Sequence, residues 1–354
     1  MPDHVRYSKD NHMQSSLNSQ STRQLTRTRA PVNINGDKVS EVRGQILKAL
    51  RECGGCLSGQ TLAHQLGTSR VSVWKHIRGL KEDGYVIEAS ARGYRVVSSP
   101  DLLLPCEFSD LEQRIHYFPE IDSTMDAARD LARRGAKEGT IVIAESQTRG
   151  RGRLTREWLS PKGGIYFTIV LRPKISPAYA PRINLMAGIA VAATIGKLFG
   201  LKAELKWPND VLIAGKKVCG ILAEMDAEMD AVNFVNVGVG INANTSISQF
   251  EKTATSLKEA LGKEISRKEF LGAMLMEMKR RQSVLMKANL LEEWKKLSAT
   301  LNRDVKIMAP SEVIVGRAID IDATGALIIR QRDGSLKSAV AGDCIHLLQE
   351  TGTR

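Results

Sequence analysis

What this chain lacks narrows its class before any motif is read. No uninterrupted run approaches the roughly 18 apolar residues that span a bilayer, so no membrane partner is expected. Met1-Pro-Asp-His4 opens on no apolar stretch of the kind a secretory signal carries, and a cytoplasmic protein is expected. Cysteines are few: Cys53, Cys56, Cys106, Cys219 and Cys344 are odd in number and form no disulfide framework, so they read as reduced thiols. Cys53-x-x-Cys56 has no second pair of the kind structural zinc sites use, and no dedicated protein metal site is expected. Negative charge is in deficit: 39 Asp and Glu against 51 Lys and Arg leave +12, which favours anionic substrates or a polyanionic partner and says nothing about fold.

What is present suffices for two or three domains in 354 residues, with an ordinary apolar fraction of 42%. Residues 1–38 are polar and basic, with too little apolar surface to offset chain entropy; they read as a disordered tail, either a bare extension or a non-specific DNA contact. From Glu41, Val42, Ile46, Leu47 and Leu50 fall at helical spacing until Gly54-Gly55. Ser58 can cap a second helix carrying Leu62, Ala63 and Leu66, and Thr68 a third whose inner stripe is Val73, Ile77 and Leu80. Tyr85-Val-Ile87 and Tyr94-Arg-Val-Val97 then read as two strands. Residues 39–99 are therefore expected to form a winged helix-turn-helix. Ser69, Arg70, Ser72, Lys75 and His76, off the inner stripe, with Arg92 on the wing, are the candidate DNA contacts. A protein-interaction module without a DNA target remains open.

Ser98-Ser-Pro100 and Pro105 mark a linker, and residues 100–300 a second domain. Asp122-Ser-Thr-Met-Asp126 starts a helix expected from Met125 to Arg134, with Ser123 or Thr124 as N-cap. Thr140-Ile-Val-Ile-Ala144 is a strand whose exit loop sets Gly150 and Gly152 among Arg149, Arg151, Arg153 and Arg156. Glycine permits positive φ and close approach, and guanidinium forks match phosphate and carboxylate oxygens. Read alone, the loop is a solvated basic segment, a nucleic-acid patch or a clasp over a small anion.

Further on, Ile183 to Leu198 is a close-packed core helix, and Trp207-Pro-Asn-Asp210 stands at a strand mouth because Pro208 stops pairing. Phe234 to Asn242 is a strand with two glycines that let a ligand or strand come close; with no third glycine and no following helix it is a poor dinucleotide fingerprint. Met274, Met276 and Met278 read as core filler. Residues 301–354 hold short strands separated by Thr324-Gly325 and Asp333-Gly334, which read as hairpin turns.

Gly150-Arg-Gly-Arg153 with Arg156 and Trp158, after a strand ending near Gln147, resembles the adenylate-binding loop of the biotin protein ligases, which carry Gly-Arg-Gly-Arg-x-Gly-Arg-x-Trp. Lys206-Trp-Pro-Asn-Asp210 with Lys217 and Gly220-Ile-Leu222 is similar to a second family motif, flanked by Asp122-Ser-Thr124 and Gly238-Val-Gly-Ile-Asn242. The resemblance runs from about Val42 to the C-terminus and includes Val73-Trp-Lys-His-Ile77 and Gly93-Tyr-Arg95, as in the bifunctional ligases that also repress biotin synthesis genes. Two departures stand out: Thr155 replaces a glycine, so the loop is expected to be stiffer there, and Met125 replaces a frequent Asn.

The resemblance implies an α+β protein: a winged helix-turn-helix, a central mixed sheet of the class II synthetase-like biotinyl/lipoyl ligase fold, and an SH3-like C-terminal barrel that clamps ligand or only stabilises. It implies ATP-dependent formation of biotinyl-5'-AMP with Mg²⁺ on the phosphates, then transfer of biotin to a lysine of a biotin carboxyl carrier domain. Biotin-binding positions are then Ser123, Thr124, Met125, Gln147, Arg151, Gly152, Arg153, Lys217 and Gly220. Nucleotide-binding positions are Gly150, Arg153, Arg156, Trp158, Asn209 and Asn242, with core packing open for Trp158. Arg153, Lys206, Lys217 and Asp210 are the catalytic candidates. Operator DNA and a homodimer in the adenylate-bound state complete the expectation. Two alternatives remain: a biotin-sensing regulator without turnover, and a lipoate or octanoyl ligase, which lacks the Gly-Arg-Gly-Arg loop.

Overall fold

A computed structural model describes residues 36–347 apart from 109, 110, 112, 113, 230, 310 and 311, without the side chains of 36–38 and 40. The tail expected over 1–38 lies outside the described residues except for its last three, which belong to the first helix, α1 (Gly36–Glu52).

The N-terminal module is α1, α2 (Gly59–Gln65), α3 (Arg70–Glu82) and the antiparallel pair β1 (Val86–Ser90) and β2 (Gly93–Ser98). Ile46, Leu47, Leu62, Val73, Ile77 and Leu80 form its closed core, as their spacing required. Ser69, not Thr68, caps α3: its hydroxyl accepts the Ser72 N–H at 3.1 Å. Residues 101–107 staple this module to the next domain. Glu107 accepts two 3.1 Å bonds from Arg51 and one from Tyr85, and Lys268 lies 3.3 Å away. Burial alone would raise the Glu107 carboxyl, but these donors hold it below the usual carboxylate range.

The central domain is built on a seven-stranded mixed sheet ordered β3 (Ile115–Phe118), β4 (Ile141–Ala144), β5 (Ile165–Leu171), β9 (Ala231–Ile241), β8 (Lys216–Glu228), β7 (Asp210–Ile213) and β6 (Ala203–Lys206). β3 and β4 run parallel; the other neighbours are antiparallel. One face buries α5 (Pro181–Phe199), α6 (Leu257–Leu261), α7 (Arg267–Gln282) and α8 (Ala288–Leu297); the other carries α4 (Thr124–Arg133) and the site. Pro177–Phe199 is long and apolar enough to cross a membrane by length and composition, yet α5 packs its small residues into the core. Met274 and Met278 are core filler as expected; Met276 faces solvent.

Residues 304–346 form a five-stranded antiparallel sheet ordered β13 (Leu336–Ala339), β12 (Leu327–Arg330), β11 (Val313–Ile321), β10 (Asp304–Met308) and β14 (Asp343–His346). β14 is one strand more than the hairpin signals indicate, and it is the strand that reaches the site.

Candidate active site

The site begins at the exit of β4. Gln147 Oε1 accepts the Thr124 N–H at 2.8 Å and the Thr124 hydroxyl at 3.1 Å, while Gln147 Nε2 donates to Ser160 at 2.8 Å. Thr168, on β5, donates to Thr124 at 2.9 Å. This chain of bonds ties the start of α4 to the loop and the sheet. Ser123 occupies the N-cap position, but its hydroxyl caps nothing; it is buried and without a hydrogen-bond partner among the described residues. A buried, unpaired hydroxyl beside such a chain is suited to a ligand's polar group.

The arginine loop departs from expectation in its backbone. Gly150 and Gly152 do not adopt positive φ; that conformation falls on Leu154 (φ 51°) and Thr155 (φ 62°). Thr155 therefore carries the left-handed turn that glycine takes without strain. Gly150 is needed for room instead, since a Cβ there would lie 2.3 Å from the Trp158 carbonyl oxygen.

Two glycines of β9 and their neighbours make the floor. A Cβ on Gly240 would lie 2.3 Å from Trp158 Nε1, and one on Gly238 would lie 2.5 Å from Met125 Sδ. The close approach expected for this strand is thus made by the indole and the thioether lying on bare backbone. The Lys217 ammonium sits 5.2 Å from the centre of the Trp158 ring, and the buried indole N–H has no hydrogen-bond partner among the described residues.

The cations divide between two ends. Arg151 is held by Asp126 at 3.0 Å and Glu224 at 3.1 Å. At the other end Lys217 lies 2.7 Å from Asp210 Oδ1, and Arg153 donates to Asn209 at 3.1 Å and to the Gly342 carbonyl at 3.0 Å. Burial pushes the Arg153 guanidinium below its usual range, against the pull of Asp343 and Asp210. Arg156 pairs with Asp343 of β14. Lys206 has no carboxylate within 4.0 Å among the described residues, which leaves it free for an incoming anion. Its charge is felt by β14: burial first, then Lys206, holds the His346 imidazole down to about 4.

One pocket thus gathers Thr124, Met125, Gln147, Arg151, Gly152, Arg153, Arg156, Trp158, Lys206, Asn209, Asp210, Lys217 and Gly220. Ser123 and Gly150 are not among its lining residues. Asn242 is not brought to it: this side chain is buried and donates to the Thr255 carbonyl at 3.0 Å. Met308 of β10 and Asp343, Cys344 and Ile345 of β14 supply a further wall, residues that no motif in the sequence singles out. Residues 117–242 match the Biotin/lipoate A/B protein ligase family, residues 43–95 the HTH domain and residues 300–347 the Biotin protein ligase C terminal domain. A Bacillus subtilis (strain 168) protein, "Bifunctional ligase/repressor BirA", is 34% identical over 314 residues, covering 84% of this chain and 97% of that protein.

The chain belongs to the biotin protein ligase family.

An Escherichia coli (strain K12) member with the same printed name is 32% identical over 313 residues, covering 84% of this chain and 95% of its own length. Among solved structures, the family member from Aquifex aeolicus in complex with biotin and ATP shares 29% identity and a TM-score of 0.57, over 65% of this chain and 97% of that one.

A second concave surface lies on the N-terminal module, between Arg70, Val71 and Trp74 of α3 and Ala89 to Tyr94 of the wing. Arg70, Lys75 and Arg92 are exposed beside it. Ser69 spends its hydroxyl on the helix cap, and His76 is half-buried, its imidazole lowered by burial and by Arg43. Val71 and Trp74 are exposed apolar members of this face, beside the polar candidates.

Proposed function

We propose that this chain is an ATP-dependent biotin protein ligase and, through its N-terminal module, a biotin-responsive repressor. One observation carries the ligase reading: a single pocket joins a polar end, Thr124 and Gln147 with the unpaired hydroxyl of neighbouring Ser123, to a cationic end, Arg153, Lys206 and Lys217. That polarity suits a substrate with a polar ring at one terminus and a carboxylate at the other.

In the first step a carboxylate oxygen of biotin bonds to the α-phosphorus of ATP, the bond to the β-phosphate oxygen breaks, and pyrophosphate leaves. Both reactants are anions, so fixed cations at the meeting point reduce repulsion and stabilise the developing charge. Lys217 holds the biotin carboxylate; Arg153, Arg156 and Lys206 face the phosphates, and Trp158 walls the adenine. Mg²⁺, where bound, neutralises phosphate charge. In the second step a neutral acceptor amine attacks the anhydride carbonyl, the C–N bond forms, AMP leaves and the amine sheds a proton. Asp210, which pairs with Lys217 at 2.7 Å, orients or deprotonates the acceptor lysine.

The acceptor is a lysine of a biotin carboxyl carrier domain and the location is the cytoplasm. The DNA partner is an operator, and a two-half-site operator calls for a two-fold dimer, assembled when the adenylate is bound. Incubation with biotin, ATP and a carrier domain tests the reading. Label on a single acceptor lysine is expected; biotin binding without pyrophosphate release or labelling would replace the ligase with a sensor.

A further inference from the structure

One row past Met125 on the site face of the sheet, outside the lining of the pocket, lies Asn236. Along β9, Val235, Val237, Val239 and Ile241 enter the apolar core, so Asn236, Gly238 and Gly240 share the opposite face. Cross-strand pairing lays that face out in three rows: Tyr166–Gly240–Gly220, Thr168–Gly238–Leu222 and Val170–Asn236–Glu224. Trp158 lies on the first row and Met125 on the second, and on the third Glu224 holds Arg151. Asn236 is 1% exposed, and neither its Oδ1 nor its Nδ2 has a hydrogen-bond partner among the described residues. Its neighbours on that face, Val170 and Phe234, belong to an apolar cluster beneath α4. A hydrophobic residue would suit these surroundings, and an unpaired amide there is costly to the free protein.

We propose that Asn236 is the specificity-determining end-stop of the acyl pocket, pairing its amide with the cyclic urea of the substrate once Met125 swings aside. A primary amide offers one donor and one acceptor side by side, and a cyclic urea presents their complement: Nδ2–H donates to the urea carbonyl and a urea N–H donates to Oδ1. Met125 is the unbranched, flexible side chain over the intervening row and so the one suited to moving. The inference rests on the biotin reading and deepens it.

The test is Asn236→Val, with Asn236→Thr as a second variant. Biotin affinity is measured by calorimetry, the unfolding temperature without ligand, and adenylation kinetics with biotin and with desthiobiotin, which keeps the cyclic urea. The valine variant is expected to weaken biotin binding and raise the KM for both acids by about ten-fold or more, with kcat and the KM for ATP little changed. Its ligand-free unfolding temperature is expected to rise, because the unpaired amide is gone; the threonine hydroxyl recovers part of the lost affinity. Unchanged biotin affinity in Asn236→Val overturns the inference while the biotin reading stands. Weaker binding together with a lower unfolding temperature also overturns it, since that marks a structural role. Failure of the unaltered protein to bind biotin removes the biotin reading and this inference together.

Discussion

Thr155 and His346 show how single residues set the properties of this site. Thr155 is β-branched and held at φ 62°, a conformation that costs most residues about 1–2 kcal/mol. Thr155→Gly relieves that strain and returns some freedom to the unfolded chain. Chemical denaturation is expected to show a gain of about 1 kcal/mol or less; a loss would mean the threonine side chain itself anchors the loop. His346 accepts or donates at Nε2 with Thr300 at 3.0 Å, and Thr300 also receives the Trp207 N–H at 3.0 Å. In the unfolded chain this imidazole takes up its proton near 6.5, in the folded one only near 4. Its contribution is therefore intact above about pH 6.5 and is lost as pH falls from 6.5 towards 4. Calorimetry across that window should show the unfolding temperature falling more steeply in the unaltered protein than in His346→Gln.

At the level of elements, β9 is the strand on which the site is laid. Gly240→Ala places a methyl group 2.3 Å from Trp158 Nε1 and must push the indole off the sheet. The fold should survive, because the opposite face of β9 is untouched, while the KM for ATP rises about ten-fold or more; an unchanged KM would dissociate Trp158 from the nucleotide. Much of this was legible from residue patterns. The three helices and wing of the N-terminal module, the small-residue helix α5 and the strand run of β9 follow directly from spacing and composition. What was not legible depends on contacts between distant segments. β14 is only four residues long and becomes a strand by pairing with β10. The displacement of positive φ from the glycines to Leu154 and Thr155 depends on how the loop bonds back on itself, as in Gly152 N–H to the Arg156 carbonyl at 2.7 Å. Asn242 sits in a motif but turns to Thr255, a partner no local pattern announces.

Across the whole molecule, a charge cluster with buried Arg267 and Glu145 and exposed Asp101 ties the linker to the strand that feeds the site. Arg267 is 3% exposed, 2.8 Å from Glu145, 2.7 Å from Asp101 and within a hydrogen bond of the Gly164 carbonyl. Glu145 in turn accepts the Leu103 N–H at 2.8 Å, and two residues later the chain reaches Gln147. Arg267→Met leaves Glu145 buried without its cation, a loss of about 3–5 kcal/mol in unfolding free energy, and should make residues 98–104 sensitive to protease. The site, the linker and the DNA-binding module thus share one framework around the central sheet. Within it, cations fixed at one end of a single pocket let two anions meet. Biotin-dependent exchange of pyrophosphate into ATP reads that step alone. The account predicts exchange in the unaltered protein and a loss in Lys217→Ala equivalent to about 2.7–4 kcal/mol; near-normal exchange in that variant would contradict it.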